Sequence, residues 1–252
     1  MRNLLLTLCF DGAAYHGWQV QPNALTVQEV LQNALKSVLQ EEPDLKGCSR
    51  TDAGVHAHMF CVSFHTQRQI PCERLVNAVN HFLPPDVAVQ NCREVPEAFH
   101  ARYSCRGKQY IYQIWNAPVR EPFLRSRALH YWYPLDADKL NEAAAHYVGS
   151  HDFTSFCTQD KREIGSFVRT VTQAQVKREG SLVTFSVAAD GFLYNMVRIL
   201  TGTLLYVAQG KFAPQQIPEI LAAKDRSLAG PTAPPQGLYL NRVFYEEAEL
   251  HA

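Results

Sequence analysis

The sequence predicts an α+β protein of two halves, residues 1–105 and 106–252, each a mostly antiparallel sheet with helices packed on one side. Three observations carry that prediction. Short apolar or alternating runs are interleaved with amphipathic segments of helical period. The element order of the first half is echoed, more loosely, in the second. No Walker or dinucleotide glycine pattern is present to suggest a doubly wound parallel sheet. With 252 residues the chain can hold two small domains and bury a core without disulfide or metal staples.

In order, Leu4 to Phe10 reads as a buried strand. Thr26-Val27-Gln28-Glu29 has capping-box form, and Val27, Val30, Leu31, Ala34, Leu35, Val38 and Leu39 then recur at helical spacing. Phe60, Val62 and Phe64 alternate as a strand. Pro71 opens a second helix carrying Leu75, Val76, Val79 and Phe82, and Pro84-Pro85 closes it. A short strand follows at Val87 to Val89 and another near Phe99 to Tyr103.

In the second half, Lys108 to Trp115 is a strand with Lys108, Tyr110, Tyr112 and Ile114 on one face, and His130 to Tyr133 reads as another. A helix runs from about Asp138 to Val148, with Gly149 as its stop. Val168 to Lys177 and Leu182 to Ala188 form a hairpin around Glu179-Gly180. Helices from about Phe192 to Ala208 and Ile217 to Ala223, then a strand from Leu238 to Phe244, complete the half. Helices on one face of each sheet leave the other face open to a ligand.

Composition narrows the class. Apolar residues are 46% and charged residues 19%, a globular balance. The seven cysteines include no C-x-x-C pair and read as reduced thiols of a cytoplasmic protein. Met1-Arg2-Asn3 leads into a short apolar run that Asp11 ends, so no secretory signal is read. The most apolar stretch, Phe192 to Gln209, carries Asn195 and Arg198 and is too polar to span a bilayer.

Lys+Arg and Asp+Glu are 24 each, without the basic excess typical of a nucleic-acid binder. The distribution is uneven. Arg102, Arg106, Lys108, Arg120, Arg125 and Arg127 face the single acid Glu121 between Phe99 and His130, while Glu246, Glu247 and Glu249 crowd the tail. Such a stripe can hold phosphates, or it can be a solvated charged face.

The local sequence most suggestive of chemistry is Gly47-Cys48-Ser49-Arg50-Thr51-Asp52-Ala53-Gly54-Val55-His56-Ala57, just before a buried strand. It admits two readings: a plain Asp-Gly turn, or a loop that presents a carboxylate. Asp-Ala-Gly is close to the tripeptide of aspartic proteases, but no second copy supplies the partner carboxylate. His56, His58, Cys61 and His65 could suggest a metal-dependent hydrolase. On a strand, however, His58 and Cys61 fall on opposite sides, which scatters the ligands. Tyr110 and Tyr112 beside Lys108 are either core tyrosines or platforms for a nucleobase. Asn195, Arg198 and Gly202 form one polar, small-residue edge on an apolar helix, where the arginine needs a partner. Asp52 is a candidate.

These residues also carry a resemblance. Phe10-Asp11-Gly12 with Tyr15, Gly17-Trp18-Gln19, Gln21 and Thr26-Val27-Gln28 form the first block, and Arg50-Thr51-Asp52-Ala53-Gly54-Val55-His56-Ala57 the second. Phe99-His100-Ala101-Arg102 with Lys108, Tyr110 and Tyr112 follows, then Asn195 with Val197-Arg198, then Gly230, Thr232-Ala233 and Gly237-Leu238. Over nearly its full length the chain resembles the tRNA pseudouridine synthase A family.

The resemblance implies two ferredoxin-like halves with adjoining sheets and an active cleft between them. It implies a homodimer that converts uridine to pseudouridine at positions 38 to 40 of the tRNA anticodon stem-loop, without metal or organic cofactor. It places Asp52 on the nucleophile, Tyr110 on the aromatic that stacks the base, and Arg198 on the arginine that pairs with the carboxylate. Arg50 falls on a basic residue beside the site and Leu238 on an apolar wall. Lys108, Arg102, Arg106, Asn195 and His56 are expected to bind substrate. Ser49 stands where the family pattern leads one to expect glycine. A non-catalytic RNA-binding protein on the same scaffold is the alternative.

The chemistry suits these residues. The detached uracil must be held while it turns, which asks for an aromatic platform and an apolar wall. Exposing a paired base costs a few kcal/mol. A carboxylate can attack sugar or base, or remove a sugar proton. A guanidinium at roughly 4 Å favours the ionised carboxylate by about 4 kcal/mol at an effective dielectric near 20.

Overall fold

The structure, a computed structural model, describes residues 1–159 and 165–246. Glu247 and Glu249 of the acidic tail lie outside the described residues. The first half runs β1 (Arg2–Phe10), α1 (Val27–Leu39), β2 (Lys46–Gly47), β3 (His56–Thr66), α2 (Cys72–Phe82) and β4 (Val87–Val95). In space the strands lie β4-β1-β3-β2, each neighbour antiparallel. This is the β-α-β-β-α-β ferredoxin-like arrangement.

The local chemistry explains the elements. Leu4, Leu5, Leu6 and Leu8 are all buried, so β1 is covered on both faces. The Thr26 hydroxyl caps α1 by accepting from the Glu29 N–H, and Val27, Leu31, Ala34, Leu35 and Leu39 are its buried residues. Pro71 precedes α2, which buries Leu75 and Val79; Phe82, expected inward, is exposed at the last turn.

The second half contains β5 (Gly107–Trp115), β6 (Leu129–His130), α3 (Ala137–Ala145), β7 (Gly149–Asp152), β8 (Val168–Glu179) and β9 (Leu182–Ala189). Then come α4 (Met196–Ala208), α5 (Ile217–Ala223) and the terminal strand β10 (Leu238–Phe244). β5, β9, β8 and β7 form an antiparallel sheet in that order, and β6 runs parallel to the end of β5. α3 packs on β8 and on α4 over a core that includes Tyr147, Phe153, Phe156 and Phe185.

Contacts group Lys108–Leu238 as one compact unit and Met1–Gly107 with Tyr239–Ala252 as the other. A division at 106 assigns the terminal strand to the second half. In the structure β10 instead lies parallel to β3, with Tyr239 opposite His56 and Leu240 opposite Ala57. A long-range pairing of this kind has no local signal.

Several elements differ from the sequence reading: β4 runs on to Val95 rather than ending at Val89, β2 and β7 are strands where none is expected, and four further differences have a visible cause. Residues 99–103 form a turn rather than a strand. His100 Nδ1 accepts from the Arg102 N–H, and the Ser104 N–H closes onto the His100 carbonyl at 2.9 Å. The strand expected at His130 to Tyr133 stops at His130, because the Asn116 amide donates to the carbonyls of Tyr131 and Tyr133, both at 2.8 Å. α3 ends at Ala145, where His146 and Tyr147 close back onto the carbonyls three residues earlier. α4 begins at Met196 rather than near Phe192, because Asn195 is left-handed at φ 60° and caps it from outside.

Candidate active site

In the first unit the loop around Asp52 is held by main chain. Gly17 sits at φ +86°, and a Cβ there would overlap the Thr51 carbonyl oxygen. That carbonyl accepts from the Trp18 N–H at 3.2 Å, while the Gly54 N–H donates to the Tyr15 carbonyl at 3.1 Å. The Val55 N–H returns to the Asp52 carbonyl, closing the turn at 3.2 Å. Tyr15 is itself anchored: its hydroxyl donates to Asp86 Oδ1 at 2.7 Å, and burial followed by that carboxylate pushes its phenol well above the ordinary range. The segment Gly12–Trp18 is therefore a cradle that shapes the loop, and Asp52 is left half-buried within it.

The neighbouring residues divide between surface and core. Arg50 is exposed. Ser49 is not among the four described non-glycine residues of positive φ, so its backbone does not require glycine. His56, 1% exposed, is turned into the core. Its Nδ1 accepts from the Gly12 N–H at 3.0 Å, and its ring stacks on Tyr239 at 4.6 Å. Asp11 Oδ1 lies 3.1 Å from the same nitrogen. His58 stacks on Tyr239 as well, at 4.8 Å, and burial lowers its pKa. No three His, Cys, Asp or Glu side chains converge as a metal-ligand set among the described residues. No disulfide links the seven cysteines.

Arg102 is exposed on the turn after Phe99. Arg106, also exposed, donates its backbone N–H to Phe244 and pairs with Glu246 at 3.1 Å. These contacts lie within the first unit.

In the second unit Tyr110, Tyr112 and Ile114 are buried on one side of β5, and Lys108 at its start is half-buried. Tyr112 is a core residue: it is fully buried, its hydroxyl donates to the Pro234 carbonyl at 2.7 Å, and burial raises its pKa. Tyr110 meets Phe192 edge-on at 5.1 Å. Leu238 is buried.

Arg198 lies in the first turn of α4. Its Nη1 donates to Asn195 Oδ1 at 2.9 Å and its Nε to the Ala233 carbonyl at 2.7 Å. Asn195 is tied in turn to the Thr158 hydroxyl at 3.0 Å. The loop bearing Ala233 approaches α4 closely: a Cβ at Gly202 would overlap the Pro231 carbonyl oxygen, and the Gly230 N–H donates to Thr203 Oγ1 at 2.9 Å. A neighbouring carbonyl and amide thus hold the guanidinium in one orientation.

The parts that sequence reasoning left without roles are the cradle residues Gly17, Tyr15 and Asp86. A glycine followed by tryptophan beside a cap signal hints at the first. Nothing local distinguishes Asp86 from an ordinary turn residue after Pro84-Pro85.

The chain matches the tRNA pseudouridine synthase family over residues 8–104 and 143–246. It is 45% identical over 97% of its length to the whole of the tRNA pseudouridine synthase A of Ruminiclostridium cellulolyticum, and equally similar to that of Thermoanaerobacter sp.. The protein of the same name from Exiguobacterium sibiricum is 43% identical, with 99% of each chain covered. Among solved structures the chain aligns with 59% of a chain in a Cbf5-Nop10-Gar1 complex at 14% identity and a TM-score of 0.37, too distant to carry an argument. No helix among the described residues is long and apolar enough to cross a membrane.

Proposed function

The chain belongs to the tRNA pseudouridine synthase family and isomerises uridine in tRNA; we propose that its targets are uridines 38 to 40 of the anticodon stem-loop and that Asp52 is its nucleophile. The observation that carries the reading of Asp52 is the cradle: three backbone hydrogen bonds and a glycine contact are spent on one short loop whose carboxylate stays half-buried.

In this reading the C1′–N1 bond breaks, the uracil turns, and C1′ bonds to C5. The C5 proton leaves and N1 takes one up, so the reaction is redox-neutral and calls on no electron carrier. Tyr110 stacks the free base and Leu238 walls it in. Arg198, oriented by Asn195 and Ala233, is the cation that pairs with the catalytic carboxylate. Arg50, Arg102, Arg106 and Lys108 hold substrate phosphates, and His56 contributes through the loop it packs beneath. The enzyme acts as a homodimer in the cytoplasm, as the family resemblance implies.

The test is nucleoside analysis of unmodified tRNA incubated with purified protein. Asp52→Asn is expected to lower pseudouridine formation by more than about 10³-fold. Its tRNA affinity should stay within a few-fold of wild type, because phosphate contacts dominate binding. Substantial turnover by Asp52→Asn overturns the nucleophile assignment. Wild-type binding without any new nucleoside would return the protein to the non-catalytic RNA-binding alternative.

A further inference from the structure

The excursion between β5 and β6, with the residues just after it, has no part in the chemistry above. It exposes Val119, Phe123, Trp132 and Tyr133 at 74%, 88%, 60% and 56%. Isolated exposed apolar residues are ordinary, but four within residues 119–133 mark an interaction surface. Arg120, Arg125 and Arg127, all exposed, alternate with them. The one acid of the segment, Glu121, turns its carboxylate back to accept from the Phe123 N–H at 3.1 Å.

These side chains stand on a braced frame. Trp115 Nε1 donates to the Val119 carbonyl at 3.0 Å, and His130 Nε2 lies 3.0 Å from the Ala117 carbonyl. Arg127 and Ala128 both close onto the Leu124 carbonyl, and the Asn116 amide fixes the carbonyls of Tyr131 and Tyr133. Gln209 donates to the Tyr131 hydroxyl at 2.9 Å, leaving Trp132 and Tyr133, whose rings lie 5.4 Å apart, facing outward. Rings presented by a frame already ordered lose little freedom on binding.

We propose that residues 119–133 are a docking surface for unpaired nucleotides of the RNA substrate, with Phe123, Trp132 and Tyr133 stacking bases and the three arginines holding phosphates. The proposal rests on the RNA-modifying reading above and adds the form of RNA held and where. A duplex has its base faces already stacked and gives protruding rings nothing to cover, whereas unpaired bases offer a π-face each. A second copy of the chain fits less well. Both copies would bring the same cationic excess, three exposed arginines against one acid turned back on its own loop, whereas RNA brings phosphates.

The test uses the full chain and two end-labelled probes, an oligouridylate and a blunt RNA duplex of equal length, with affinity read from probe anisotropy and base contact from tryptophan emission. Trp18 is buried, and Trp132→Phe identifies the share of quenching that belongs to Trp132. Replacing Phe123 and Trp132 together by Ala removes exposed side chains and leaves the core intact. Oligouridylate affinity is expected to fall at least about tenfold, with duplex affinity changed less than about twofold.

Equal weakening toward both probes, or none, overturns the proposal. So does a variant that turns from dimer to monomer in sedimentation with oligouridylate affinity unchanged, since the surface then serves a second copy. Wild-type protein that binds oligouridylate through Trp132 yet forms no pseudouridine would sink the catalytic reading alone. Pseudouridine formation without Trp132 quenching would sink this proposal alone.

Discussion

The loop around Asp52 is positioned by main chain against main chain, whereas the guanidinium of Arg198 is positioned by a side chain and a neighbouring carbonyl. In the first unit the cradle acts through Gly17, the Thr51 and Tyr15 carbonyls and the Trp18 and Gly54 N–H groups. In the second, Asn195 and the Ala233 carbonyl hold Arg198, while Gly202 lets the loop that supplies the carbonyl lie against α4. The difference follows from the two groups. A short carboxylate moves with its backbone, so its placement is a backbone problem. A long guanidinium has several rotatable bonds, and only partners along its fork geometry fix it. The first arrangement therefore tolerates side-chain change but not an added Cβ, and the second tolerates neither at its own contacts.

The sharpest way to break the contrast is to add a Cβ to each glycine. Gly202→Ala meets the Pro231 carbonyl between a core helix and its loop, and is expected to lower unfolding free energy by about 3 kcal/mol, read from denaturant midpoints. Gly17→Ala meets the Thr51 carbonyl where two loops touch, at positive φ. It should lower kcat by about 10²-fold through displacement of the loop, with a smaller loss of stability. Equal stability losses with unchanged kcat in Gly17→Ala would mean the cradle does not position Asp52.

Tyr110 sharpens the comparison from the substrate side. If its role is to stack the base, Tyr110→Phe should keep single-turnover rates within about tenfold of wild type and Tyr110→Leu should lose most of the activity. A Phe variant as inactive as Leu would put the hydroxyl into the mechanism, in the transfer of the C5 proton. Asn195→Ala removes one brace of Arg198 and abandons a left-handed cap, with about a tenfold loss of kcat expected at unchanged tRNA affinity. An unchanged kcat would mean that Asn195 is not a brace that matters.

The smallest effect concerns His58. Burial lowers its pKa below the ordinary 6.5, so the unfolded chain takes up a proton first as pH falls. Its contribution is neutral above about 6.5, and stability is lost as pH falls from there through the folded value. His58→Gln should shrink that acid-side slope in urea melts at pH 5 to 7 while leaving stability at pH 8 nearly unchanged.

Much of this protein was legible in the order of its residues. The helical period and cap of α1, the proline before α2, the Glu179-Gly180 hairpin and the alternation in β3 are local signals, and each element stands where they place it. The string around Asp52 was legible as a loop before a buried strand. Some boundaries were not: the Asn116 amide, distant in sequence, ends β6, and a left-handed Asn195 delays α4.

Tertiary structure alone decided that His56 supports Gly12 from the core, that Tyr112 is a core residue capped by Pro234, and that β10 returns to pair with β3. It alone joined Gly17, Tyr15 and Asp86 into one cradle. The physical reason is the same in each case. Period and capping act over a few residues and are written in the sequence, whereas a backbone carbonyl can be met by any residue the fold brings to it, and nothing near either partner announces the meeting.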